Sequence, residues 1–242
     1  MTLVRSICFN VAFFGSAPLI VTALLALAPF PRRFTHEGMR KWLRFLMWLA
    51  RVLARIDYEI RGRENLPTGP VIIAAKHQSA WDTAAFFILL DDASFIIKKE
   101  LMAIPVYGWL LSRDRMIAID REGGAGALKK MLSDSRAALA AGRQVVIFPE
   151  GTRGTPGERL AYHPGVAALY AMTKVAVVPV ALNSGLFWER HSFLKHPGTI
   201  TVEYLEPILP GMERHAFMAE LEKRIETASD NLRTEAEARF PR

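Results

Sequence analysis

The sequence predicts an α/β fold, a mostly parallel central sheet flanked by helices, preceded by an N-terminal membrane-anchoring helical segment. Three observations carry this reading. Residues 6–30 run without a charge, residues 38–60 set apolar and aromatic side chains at helical spacing among arginines, and beyond residue 57 short β-rich apolar runs alternate with helical stretches. At 242 residues and 51% hydrophobic composition, the chain buries a full-sized core and is too apolar to stay disordered.

The uncharged run from Ser6 to Phe30 is preceded by Arg5 and followed by Pro31, Arg32 and Arg33. As a helix it rises about 37 Å, enough to cross a hydrocarbon core of roughly 30 Å. Asn10, Gly15, Ser16 and Pro18 dilute it, which leaves a tilted or re-entrant anchor open. A cleaved signal peptide fits less well, because such peptides carry a shorter apolar region and the flank here is basic on the downstream side. In the next segment Trp42, Phe45, Leu46, Leu49, Val52 and Leu53 share a helical face, with Arg40, Lys41, Arg44, Arg51 and Arg55 mostly elsewhere. This pattern fits a helix lying at a headgroup layer with arginines on anionic lipid, and equally a core helix covering the domain. Seven basic residues between Arg32 and Arg55, against Arg5 alone before the apolar run, place the rest of the chain on the cytoplasmic side of the membrane. The expected division is 1–56 for the anchoring helices and 57–242 for the α/β body.

In the body the strand-like runs are residues 71–75, 94–98, 116–119, 144–148, 175–182 and 199–205. Residues 124–142 carry a helical pattern ending at Gly142, where a left-handed cap is expected, and Glu213 to Ala238 is charged and helical. No repeat or low-complexity linker divides the body.

A formal charge of +7 points to an anionic partner. Nucleic acid is excluded as that partner, because it leaves the long apolar run without a use. One cysteine, Cys8, rules out a disulfide framework and any multi-cysteine metal site. The six histidines form no His-Glu-x-x-His pattern, Gly123–Gly126 lacks the Lys-Ser/Thr of a phosphate-binding loop, and no Gly-x-Ser-x-Gly elbow exists.

Two strand ends carry chemistry. In VIIAAKHQSAWDT, His77 follows a core strand and Asp82 comes five residues later. With His77 in the turn before a helix and Asp82 in its first turn, the carboxylate accepts from the imidazole, fixes its tautomer and leaves the other nitrogen as a general base. In VVIFPEGTRG, Gly151 admits close backbone approach, Thr152 offers a hydroxyl, and Arg153 presents a planar fork suited to phosphate oxygens.

Taken in order, KHQSAWDT, KKEL (98–101), MIAIDR (116–121), FPEGTRG (148–154) and VVPVAL (177–182) resemble the glycerolipid acyltransferase family, in its bacterial 1-acylglycerol-3-phosphate branch, over residues 57 to 210. The resemblance implies transfer of a fatty acyl group from a thioester, acyl-CoA or acyl carrier protein, to the sn-2 hydroxyl of 1-acyl-glycerol-3-phosphate (lysophosphatidic acid), giving phosphatidic acid. It implies no metal and no tightly held cofactor. His77 matches the family's general base and Asp82 the aspartate that orients it. Lys98 or Lys99, Arg121, Glu150, Gly151, Thr152 and Arg153 match positions associated with the acceptor's phosphate and glycerol, and Pro179 a position on the donor side. The sequence departs from the common pattern at Lys76, where Asn is frequent, and in MIAID, which lacks an aromatic residue. Glycerol 3-phosphate or another lysophospholipid is the alternative acceptor. The non-enzyme alternative is a membrane-bound lipid-binding protein with an inactive fold of this family.

Overall fold

The computed structural model describes residues 1–241. Two long helices, α1 (Thr2–Ala26) and α2 (Arg32–Leu49), form an antiparallel hairpin in which Gly38 faces Leu24 and Trp42 Nε1 donates to Ser16 Oγ. A π-turn at Ala50–Ala54 and a left-handed Arg55 end α2, and the chain enters β1 (Ile56–Arg61). The remaining elements are β2 (Ile72–Ala75), α3 (Ala80–Leu89), β3 (Ala93–Lys98), α4 (Tyr107–Arg113), β4 (Ile117–Ile119), α5 (Gly124–Ala140), β5 (Gln144–Ile147), α6 (Gly165–Thr173), β6 (Val177–Leu182), β7 (Gly198–Tyr204) and α7 (Arg214–Arg239).

The sheet order is β1-β7-β6-β2-β5-β3-β4, and every pairing is parallel except β6–β7. Alternate residues of the central strands feed two cores. Ile73, Ala75, Val146 and Val178 pack with α1, α2 and α3, while Ile72, Ala74, Val145 and Val177 pack with α5, α6 and α7. Gly142 takes the left-handed conformation expected of it, with φ +79°.

The structure differs from the sequence reading at β1. Residues 56–60 continue the helical pattern on paper, but Ile56 to Arg61 pair in register with Gly198 to Glu203 as an edge strand. Its charged Asp57, Glu59 and Arg61 alternate with Ile56, Tyr58 and Ile60, so it lacks the continuous apolar run of a central parallel strand.

Helix α2 meets both alternatives the sequence left open. Leu46, Met47 and Leu49 are buried in the core, whereas Phe45 and Trp48 stack on one another at 5.8 Å and stay exposed. Several arginines expected on a lipid surface are engaged within the protein instead. Arg40 donates to the carbonyls of Phe87, Ile88, Leu90 and Asp91, satisfying the free C-terminal end of α3. Arg44 pairs with Glu37 and Arg51 with Asp57.

Arg32, at the start of α2, makes a bidentate pair with Asp92 (2.6 and 2.9 Å) and also reaches Asp114 at 3.1 Å. Partial burial pushes the Asp92 carboxyl up, but hydrogen bonds from Arg32 and Arg143 outweigh it and bring the pKa down to about 2. A depressed carboxylate stabilises the fold above its unfolded pKa near 4 and loses that contribution as pH falls toward the folded value. Asp92→Asn is therefore expected to lower the melting temperature at pH 6. The gap from the parent protein should close between about pH 4 and 2 in thermal melts.

Candidate active site

The parallel strands end around one cavity of 890 Å³, as expected where functional groups gather at strand carboxyl ends. His77 lies two residues past β2, Lys98 ends β3, Arg121 lies two past β4, and Phe148 to Arg153 follow β5. His77, Lys98, Arg121, Gly151, Thr152 and Arg153 line the cavity.

The local sequence builds the His–Asp pair. Ser79 caps α3, its Oγ accepting the Trp81 N–H, which sets Asp82 in the first helical turn. Asp82 is fully buried, and its Oδ2 accepts from His77 Nδ1 at 3.0 Å and from the Gln78 and Ser79 N–H groups at 2.8 and 2.9 Å. With Nδ1 carrying the proton toward Asp82, Nε2 holds the lone pair, as a general base requires. The Phe148 ring stacks on the imidazole at 3.9 Å, and the His77 carbonyl accepts the Gly154 N–H.

Glu150 does not reach the cavity. Its carboxylate is 2% exposed, and Oε2 accepts the His77 N–H at 2.9 Å. Oε1 lies 2.6 Å from Lys76 Nζ, an ion pair without hydrogen-bond alignment. Lys76, itself 1% exposed, donates to both oxygens of Glu226 on α7 at 2.8 and 2.9 Å and to the Glu158 carbonyl. Tyr162 donates to the same Glu226. Burial pulls the Lys76 ammonium down, but the two carboxylates outweigh it and its pKa is raised. Burial likewise pushes the Glu150 carboxyl up against the opposing pull of Lys76. The unusual residue before the histidine is thus the cation that lets two carboxylates be buried behind it.

Of the two candidate lysines, Lys98 lines the cavity while Lys99 pairs with Asp120 at 2.5 Å. Arg121 donates to the Gly151 carbonyl. Gly151 has φ +65°, and a Cβ there would come within 2.8 Å of the His163 ring, so the position needs glycine twice over. Pro179 sits inside β6 opposite Ala74, buried and away from the cavity lining.

Two lining residues escaped the sequence reading as site groups. His163 packs on Gly151, and Arg190 donates to the Arg153 carbonyl at 2.7 Å. No local motif marks either one. Lys98, Arg121, Arg153 and Arg190 have no carboxylate within ion-pair distance among the described residues, so this end of the cavity carries an excess of positive charge, Asp120 beside them being paired with Lys99. The other end is apolar, with Phe13 and Val21 of α1 and Trp42, Leu43 and Met47 of α2.

Helix α1 is long and apolar enough to cross a membrane, and only 17% of its most apolar window is buried inside the protein, unlike a core helix. Its first turns nonetheless dock on the loop after β6. Ser6 Oγ accepts the Lys195 N–H, Asn10 donates to the Phe193 carbonyl, and Phe9 meets Trp188 edge-on at 5.0 Å. The polar residues that dilute the apolar run are fasteners.

A parallel sheet whose strand ends hold a His–Asp pair beside a cavity cationic at one end and apolar at the other defines a lipid-processing O-acyltransferase. The Acyltransferase family model matches residues 57–183, and the chain belongs to that family. It is 36% identical to a 1-acyl-sn-glycerol-3-phosphate acyltransferase of Pseudomonas aeruginosa, over 92% of this chain and 88% of that one. It is 28% identical to the alpha form of the same enzyme from Mus musculus, over 83% of this chain and 71% of that one. The fold matches the crystal structure of the 1-acyl-sn-glycerophosphate (LPA) acyltransferase of Thermotoga maritima. That match has a TM-score of 0.79 and 20% identity, covering 96% of this chain and 98% of that one.

Proposed function

We propose that the protein transfers a fatty acyl group from an acyl thioester, acyl-CoA or acyl carrier protein, to the sn-2 hydroxyl of lysophosphatidic acid, giving phosphatidic acid. The names of the relatives support this acceptor. The observation that carries it is one cavity joining unpaired cations, His77 and an apolar wall from the anchoring hairpin. Arg121 and Arg153 face the acceptor's phosphate, with Lys98 beside them. His77 Nε2 takes the proton of the hydroxyl as its oxygen attacks the thioester carbonyl, Asp82 stabilises the imidazolium, and the tetrahedral intermediate expels the thiolate, which takes up that proton. No resident metal or cofactor enters this reading. Glu150 acts on the acceptor only through the His77 backbone.

The part of α1 beyond the turns docked on the loop after β6, from Val11 to Ala26, rises about 24 Å, short of a bilayer core of roughly 30 Å. The hairpin therefore reaches into the membrane without crossing it, with Phe45 and Trp48 at the headgroup layer and the catalytic body on the cytoplasmic side.

The test is acylation by the purified full chain in lipid vesicles of a panel holding lysophosphatidic acid, other lysophospholipids and glycerol 3-phosphate. Preference for lysophosphatidic acid is expected, and a preference for glycerol 3-phosphate or for another lysophospholipid overturns the assignment. Arg153→Ala should raise KM for lysophosphatidic acid by about 10- to 100-fold, the worth of a charged hydrogen bond, and change the donor's KM much less. Equal changes in both constants would make Arg153 structural.

A further inference from the structure

The turn between His77 and Asp82 is held by a third element, the loop after β6, which lies outside every motif named above. Ser184 is fully buried, and its Oγ donates to Asp82 Oδ1 at 2.5 Å. The neighbouring Gly185 N–H donates to Gln78 Oε1 at 3.0 Å, and a Cβ at Gly185 would meet Gln78 Cβ and Pro156 at 3.0 Å. The Ser184 carbonyl accepts the N–H groups of Phe187 and Trp188, so the hydroxyl sits on a fixed backbone.

We propose that Ser184 is a positioning residue for the His77–Asp82 pair, its hydroxyl on Asp82 Oδ1 fixing the carboxylate plane so that Oδ2 stays aimed at His77 Nδ1. This rests on the reading of His77 as the general base. Three donors already converge on Oδ2, but they define a single point. The terminal torsion of an aspartate is broad and two-fold, and the donor on the other oxygen removes that freedom. It also draws negative charge away from Oδ2. Without it the carboxylate holds the imidazolium more strongly, so His77 gives up its proton at higher pH and less free base is present near neutrality. The other charged groups around the imidazole stay in place. They are Glu150 and Lys76 behind its backbone, and Lys98, Arg121, Arg153, Arg190, Asp114, Asp120 and the titratable His163 and His191 in the cavity wall.

The experiment uses the full chain in detergent, with kinetics and NMR titration of the His77 imidazole. Ser184→Ala is expected to lower kcat about 10-fold, with both KM values within about twofold of the parent, for the loss of a hydrogen bond to a charged group. The acid limb of the rate profile and the His77 titration should both move up by roughly half to one pH unit. Ser184→Cys, near in size and a weaker donor, should fall between parent and alanine variant, which keeps the test open should the alanine variant fold poorly. In an Asp82→Asn background, Ser184→Ala should leave the His77 titration where Asp82→Asn alone puts it. A well-folded Ser184→Ala whose His77 titration does not move overturns the proposal. Turnover retained by His77→Ala overturns instead the reading on which it rests.

Discussion

Replacing His77 with alanine is expected to reduce acyl transfer by about 10²–10⁴-fold, with the fold, membrane association and substrate KM values retained. The acceptor hydroxyl is a poor nucleophile at neutral pH, and Nε2 is the ring nitrogen left free once Nδ1 is committed to Asp82 at 3.0 Å. The side chain borders the cavity and its loss costs the stacking on Phe148, but the Gln78 and Ser79 N–H groups and Ser184 still hold Asp82, so the turn and the fold are kept. Asp82→Asn should fall nearly as far. An amide N–H at the Oδ2 position meets the donors of His77, Gln78 and Ser79 at once and displaces the imidazole, and with the amide turned toward Ser184 the oxygen left facing Nδ1 is neutral and no longer stabilises the imidazolium. Steady-state kinetics on both variants, with circular dichroism to check folding, measures this. A loss below tenfold in Asp82→Asn would reduce Asp82 to a helix cap.

The second large effect is expected at Lys76. Lys76→Ala leaves Glu150 and Glu226 buried together without their cation, and removing one partner of a buried ion pair typically destabilises by about 3–5 kcal/mol. It should also lower activity in whatever fraction folds, because Glu150 Oε2 accepts the His77 N–H and loses its anchor. Lys76→Ala combined with Glu226→Gln removes one of the two uncompensated charges and should recover part of the stability without restoring turnover. Thermal melts beside initial rates separate the two effects. A fully stable, fully active Lys76→Ala would show that the buried pair neither supports α7 nor holds the catalytic turn.

The strands that carry the site were legible because buried parallel strands are continuous apolar runs, and Ile72–Ala75 and residues 145–148 are that. His77 and Asp82 were legible because their contact is local, five residues apart across one helix cap. Lys76 was visible only as a departure from pattern, since its partner Glu226 lies 150 residues away. Ser184 meets Asp82 across 102 residues, and Arg190 meets Arg153 across 37, distances no spacing rule covers. Strand β1 was hidden by its alternating charges, and Arg40 of α2 looked lipid-facing because its carbonyl partners belong to α3 and the turn after it. Asn10 and Ser16 in α1 read as dilution of an apolar span, whereas Asn10 is fastened to the Phe193 carbonyl and Ser16 to Trp42, partners that lie far off in sequence.

The central claim is direct transfer from a thioester to the acceptor hydroxyl, with His77 as base. Its most direct test is to give the purified full chain, in vesicles, lysophosphatidic acid and a thioester labelled in the acyl group, supplying acyl-CoA and acyl carrier protein in separate runs. The expected result is label in phosphatidic acid at the sn-2 position, none on the protein when acceptor is withheld, and product formation lowered by about 10²-fold or more with His77→Ala. Label held covalently on the protein, or phosphatidic acid formed at the parent rate by His77→Ala, would contradict the account.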